Sequence, residues 1–130
     1  MKNPRIESNS WVMTCCLVDS DGEELWNLRP KEGSWIAVIH LQASGKLFLR
    51  VMKERTLSNG RVDQAIIADG LKTLSQKVYE ERGTKAKLGI KAISQNAALF
   101  STAKKAGFKR TDAYKEKKKV VLVYEYCPKR

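Results

Sequence analysis

The sequence predicts an α/β (α+β) domain: one mixed, mostly antiparallel sheet with two main helices, in the order β-β-β-(β)-α-β-α-β-β. Three observations point there. The chain has 130 residues, the size of one ordinary domain, and 42% of them are hydrophobic, enough for a real core. Short β-prone runs separated by turn residues fill the first fifty positions. After Thr56 the apolar spacing changes to three, four and seven, the period of a helix.

The elements follow in order. Trp11 to Val18 is apolar and β-prone, and Asp19-Ser20-Asp21-Gly22 ends it with turn residues. Glu23 to Arg29 reads either as a short helix, through Leu25 and Leu28, or as an extension of a hairpin; Pro30 and Gly33 close it. Trp35–Leu41 and Lys46–Lys53 form an antiparallel pair across Ala43-Ser44-Gly45. Ser58-Asn59-Gly60 breaks the strand pattern, and Asp63 supplies a carboxylate at a helix start. The stripe Val62, Ile66, Ile67, Leu71, Leu74, Val78 and Tyr79 is the buried face of that helix, which Gly83 stops. A strand over Ala86 to Ile93 places Leu88, Ile90 and Ala92 on one face. A second helix, Asn96 to Ala106, buries Leu99, Phe100 and Ala103 and ends at Gly107. Two extended stretches, Phe108–Tyr114 and Lys119–Tyr126, close the single domain over residues 1–130.

A helix between strands Lys46–Lys53 and Ala86–Ile93 permits a parallel pair with a right-handed crossover. Sheets of this kind bind ligands at the carboxyl ends of parallel strands. Here those ends are the loop around Leu57 to Arg61 and the segment Ser94 to Ala97.

Charge narrows the partners. The formal net charge is +11. Residues 1–65 hold nine basic and eight acidic residues, whereas residues 66–130 hold sixteen and six. Lys104, Lys105, Lys109, Arg110, Lys115, Lys117, Lys118 and Lys119 face only Asp112 and Glu116 along the chain. They form either a solvated face that keeps the protein soluble or a docking face for nucleic acid or an acidic protein. No apolar run approaches a membrane span, no apolar stretch follows the first charges as in a signal peptide, and Cys15-Cys16-Cys127 make no disulfide framework; the expected compartment is a reducing cytoplasm. No His/Cys cluster has metal-ligand spacing. The acidic turn Asp19 to Glu24 carries its glycine too early for a calcium loop. Trp11, Trp26 and Trp35, spaced among aliphatic residues along strands, read as packing rather than a base-stacking platform.

The segment Asn96-Ala97-Ala98-Leu99-Phe100-Ser101-Thr102-Ala103-Lys104-Lys105-Ala106-Gly107-Phe108 resembles the region of GNAT-family N-acetyltransferases where an Asn opens a helix that closes on Gly-Phe. Val120-Val121-Leu122-Val123-Tyr124 is similar to the strand that closes that fold, and the resemblance covers roughly Trp35 to Tyr126. It implies acetyl-CoA as cofactor, with Asn96 near its pantetheine arm, and an amine on a protein or small molecule as acceptor. It also implies a phosphate-holding loop at Arg55 to Val62, which here has one glycine, and a Tyr on the second helix where this chain has Ala103. Those departures imply weak or lost activity, and the region of the family's first two helices is shortened to Asp19–Ser34. The chain is similar in these respects to short, divergent GNAT-like proteins of tailed phages, which implies a host cytoplasm.

The candidate residues follow from what the chemistry needs. Ser58, Asn59 and Gly60 offer donors for a phosphate, with Arg61 as the cation; the same residues also suit a plain helix cap. Acetyl transfer to an amine needs a base and an acid. Glu54, at the end of a strand, and His40, on the neighbouring strand, are the candidate bases, and Tyr124 or Tyr114 the candidate acid. Two functions stand: an N-acetyltransferase, or a catalytically silent binding or assembly protein that uses the basic residues from Lys104 to Lys119.

Overall fold

The computed structural model describes residues 4–32, 35–53 and 63–128, with residues 51–53 described by their backbone alone. The elements are β1 (Arg5–Glu7), β2 (Trp11–Val18), β3 (Glu24–Pro30), β4 (Trp35–Leu41), β5 (Lys46–Lys53), α1 (Gln64–Arg82), β6 (Lys87–Lys91), α2 (Ala97–Lys105), β7 (Phe108–Glu116) and β8 (Lys119–Tyr126). The strands form one sheet in the order β1-β2-β3-β4-β5-β6-β8-β7. Every neighbouring pair is antiparallel except β5 and β6.

Alternation along the strands divides the sheet into two unlike faces. Trp11, Met13, Cys15, Trp26, Leu28, Trp35, Ala37, Ile39, Leu41, Leu47, Leu88, Ile90, Tyr124 and Tyr126 point to one side and are buried there. Helices α1 and α2 cover them through Ile67, Leu71, Leu74, Val78, Ala103 and Ala106. The three tryptophans are therefore core residues, at most 3% exposed. The opposite face has no helix over it among the described residues, and carries His40, Phe48, Arg50, Lys87, Gly89, Lys91 and Tyr114. An antiparallel sheet tolerates one wet face because its backbone groups are already paired within the ladder.

Capping explains where the long helix starts and stops. Asp63 accepts a hydrogen bond from the Ala65 amide at 2.9 Å. Gly83 adopts φ 65°, which lets its N–H return to the Tyr79 carbonyl at 2.8 Å. Trp11 Nε1 donates to Asp69 on α1 at 2.8 Å, and Arg82 at the far end of that helix pairs with Glu24 of β3. Both ends of α1 are thus tied to the first strands.

Of the two readings that the sequence leaves open for Glu23 to Arg29 the extended one holds, since the alternation of Glu24–Pro30 buries Trp26 and Leu28 on the face that α1 covers. Three other expectations need correction. Arg5–Glu7 adds an edge strand whose three residues are too few to show a period. Ala92 lies beyond the end of β6 and is exposed. Asn96 does not cap α2 with its side chain: Ser94–Asn96 is a turn of 3-10 helix, and Asn96 has φ −97° and ψ 10°.

Candidate active site

The parallel pair is the unusual join in the sheet. β5 and β6 match at two positions only, Lys46 with Lys87 and Leu47 with Leu88. A hydrogen bond from the Lys87 amide to the Gly45 carbonyl, 2.9 Å, closes the lower end. Beyond Leu47 and Leu88 the strands separate. β5 stays with β4 through Lys53, and β6 stays with β8 through Lys91. The result is a notch whose vertex is Leu47 and Leu88 and whose mouth opens toward the start of α1 and α2. Past that point its two walls are strand edges that form no ladder with each other, and on the β6 side the Lys91 carbonyl accepts from the Ile93 amide at 2.9 Å.

Asn96 stands at the end of the β6 wall. Its Nδ2 donates to the Lys91 carbonyl at 2.9 Å, which fixes the chain where β6 turns into α2. Tyr124 is paired in register with Leu88, so it stands beside the vertex on the helix-covered side. It is 6% exposed, and its ring lies 5.8 Å from that of Phe100 on α2. Ala103, one turn further along α2, is fully buried and brings no polar atom. The roof over the notch is joined by Thr102, whose hydroxyl lies 2.7 Å from Gln64 at the start of α1 and 2.8 Å from the Ala98 carbonyl.

His40 takes a different place. It lies on the bare face of β4, with Nε2 3.1 Å from Glu23 and its ring 5.8 Å from Phe48. It lines a shallow hollow with Leu17, Asp19, Glu23, Glu24 and Leu25. Phe48 stands between it and the vertex, and Lys46 Nζ sits 5.2 Å over the Phe48 ring. The candidate base Glu54 and the candidate phosphate-holding residues Ser58, Asn59, Gly60 and Arg61 lie outside the described residues.

The basic residues divide into two groups. Lys104 and Lys105 end α2, where cations suit the helix dipole, and Lys109 and Arg110 follow at the start of β7. Lys117 and Lys118 form the tip of the β7–β8 hairpin, both with positive φ (47° and 70°), and Lys119 follows. Strand β7 separates the two groups by about 25 Å at the usual strand rise. All are exposed, as is Lys115 on the strand between them.

The residue that sequence reading passed over is Gly89, on the first step of β6 past the vertex. A Cβ there would meet Val121 Cγ1 at 3.3 Å and Tyr114 Oη at 3.9 Å. Its missing side chain leaves a cavity of about 250 Å³ on the bare face, lined by Ser44, Lys46, Lys87, Gly89, Tyr114 and Val123. Among the described residues no His, Cys, Asp and Glu cluster could hold a metal, and no helix is long and apolar enough to cross a membrane. All three cysteines are free, with Cys15 buried and Cys16 and Cys127 exposed.

The sequence matches no protein-family model and no curated protein. Its fold does have solved counterparts. A protein of Bordetella pertussis assigned to the GNAT family of acetyltransferases superposes with a TM-score of 0.63 over 95% of this chain and 99% of its own, at 11% identity. One of Sphaerobacter thermophilus, assigned as an acetyltransferase, gives 0.57 over 98% of each chain at 13% identity. AAC(6')-Ib, solved with paromomycin and acetyl-CoA, gives 0.52 at 10% identity; it is the longer protein, and the match covers 82% of this chain but 65% of that one. The diverging parallel pair, the helix that crosses between its strands and the closing hairpin are together the fold of the GNAT N-acetyltransferases.

Proposed function

We propose that this protein is an N-acetyltransferase that uses acetyl-CoA and an amine acceptor. The observation that carries the reading is the separation of β5 from β6 immediately past Leu47 and Leu88. Two strand edges that no longer pair with each other suit an extended chain that itself carries amides, as the pantetheine arm does. The acetyl-CoA in the AAC(6')-Ib complex makes the same donor plausible for this chain. When bound, acetyl-CoA supplies the acetyl group as a thioester, whose transfer releases one proton from the amine and requires one at the departing sulfur.

The chain's own residues fit that demand in part. Tyr124 holds a phenolic proton beside the vertex, on the side where α2 shields it from water. It compensates for Ala103, which has none to give. Asn96 fixes the end of the β6 wall through the Lys91 carbonyl and so keeps the notch open at its mouth. His40, held by Glu23 through Nε2 at 3.1 Å, stands on the bare face as the candidate base.

Calorimetric titration with acetyl-CoA tests the reading, and micromolar binding is expected. Tyr124→Phe keeps the packing against Phe100, so it should leave that affinity unchanged while lowering turnover about tenfold or more. Acetyl-CoA that produces no heat and no thiol release with any amine would end it.

A further inference from the structure

Resting on the acyl-transfer reading, we infer that the cavity at the notch vertex is the acceptor pocket and that it takes amines carrying an anionic group, a carboxylate or a phosphate. The notch has two sides. Helices α1 and α2 cover one, and Phe100 and Tyr124 pack into it. The other opens on the bare sheet face, and the cavity over Gly89 is the one that straddles the vertex there. An acceptor that meets a donor in the notch without displacing the helical layer comes through this cavity.

Its lining decides the charge of the visitor. Lys46 and Lys87 are paired in register across the vertex and both line the cavity, together with Tyr114 and Ser44, while Lys46 Nζ lies 5.2 Å over the neighbouring Phe48 ring. Glu125 lies 3.9 Å from Lys87 and 3.9 Å from Lys85, so one carboxylate is shared between two cations. Lys91, two residues beyond Gly89 on the same face, adds another positive charge, and Asp112 stands opposite Val123 in register. The balance is cationic. A polyamine or an isolated lysine side chain meets repulsion, whereas a phosphate or carboxylate meets charge-assisted hydrogen bonds. The same ammonium groups favour the neutral form of a bound amine, since like charge disfavours protonation. That makes the nitrogen a nucleophile and eases the demand on a separate base.

Direct titration with small amines, without acetyl-CoA, tests the site by nuclear magnetic resonance or calorimetry. Phosphoethanolamine and β-alanine represent the phosphate and carboxylate sources, and ethanolamine and spermidine are the cationic controls. The anionic amines are expected to bind at least about tenfold more tightly than the controls, with the advantage shrinking in salt. The tighter of the two names the anionic group. The double substitution Lys46→Gln/Lys87→Gln changes exposed residues and should remove the preference. Gly89→Val fills the cavity and should abolish binding while leaving the net charge unchanged. Equal or tighter binding of spermidine, or phosphoethanolamine binding that survives both variants, overturns the inference. A separate acetyl-CoA titration distinguishes the failures. Donor binding without any bound amine removes this inference alone, whereas anionic-amine binding without donor binding removes the acyl-transfer reading and the acceptor role with it.

Discussion

Gly70 sets how closely α1 approaches the sheet. A Cβ at this position would lie 2.7 Å from Leu28 Cδ2 and 3.1 Å from Leu28 Cδ1. Carbon atoms in ordinary contact stand about 3.5–4.0 Å apart, so Gly70→Ala asks for about an ångström of room. Leu28 has 0% exposure and sits between β2 and β4, so its methyl groups have no free space to enter. Alanine in a helix interior is worth about 1 kcal/mol over glycine, while overpacking a tight core costs about 2–3 kcal/mol at the upper end of its range. The clash wins, and Gly70→Ala should destabilise the protein by about 1–2 kcal/mol in urea unfolding followed by tryptophan fluorescence. Leu28→Val alone should cost about 1 kcal/mol, yet the double variant should return close to the wild type because the shortened side chain makes room for the new methyl. Acetyl-CoA affinity should follow the same pattern, since α1 carries one lip of the notch. A Gly70→Ala protein stabilised by about 1 kcal/mol, or strict additivity in the double variant, would show that helix and strand do not meet here.

Four further outcomes follow from named contacts. Burial pushes the Cys15 thiol and the Tyr126 phenol above their usual ranges. The folded state then holds protons longer than the unfolded one, so this stability is complete below the unfolded pKa values and falls as pH rises above about 8.5; Cys15→Ala should flatten the early part of that fall in thermal melts. In the native protein at pH 8 a thiol reagent should label Cys16 and Cys127 quickly and Cys15 only on unfolding. Asp63→Ala removes the bond to the Ala65 amide and should cost about 1 kcal/mol in urea unfolding, a loss that Asp63→Ser largely avoids. Ala103→Tyr should yield destabilised protein without a gain in turnover, because the position is fully enclosed; faster thiol release from this variant would show that the missing acid, not packing, limits the reaction.

Much of the fold is legible in the chain because local and global signals agree. The strands Trp11–Val18, Trp35–Leu41, Lys46–Lys53 and Lys119–Tyr126 have the bounds that β-prone runs and turn residues indicate. Asp63 and Gly83 bracket α1 as caps should. Tertiary contacts decide what the sequence leaves open. Glu24–Pro30 is extended because Trp26 and Leu28 gain burial that way, whichever local preference they have. The site is less legible. Asn96 is a natural cap by type, but its amide instead holds the Lys91 carbonyl, a partner fixed only once β6 ends where it does. Gly89 and Lys46 are forty-three residues apart and meet only through the parallel crossover, so no spacing announces their cavity. An isolated glycine in a strand with period-two neighbours was the available signal, since it marks a close approach or a gap.

The absence of a helix before β4 among the described residues, beyond shortening the fold, also changes what can reach the vertex. A second helical layer would enclose the acceptor side and choose substrates by shape. On the proposed reading the sheet face itself does that work, with Lys46, Lys87 and Tyr114 lining the cavity on it. Selection by exposed charge is screened by salt, whereas selection by an enclosed pocket is not. On this reading acceptor preference should weaken between low and physiological ionic strength, while acetyl-pantetheine, which carries the amide-bearing arm without the phosphates, should lose less. If both affinities decline in parallel with added salt, donor and acceptor are held by the same kind of contact, and the division of labour between notch and face is wrong.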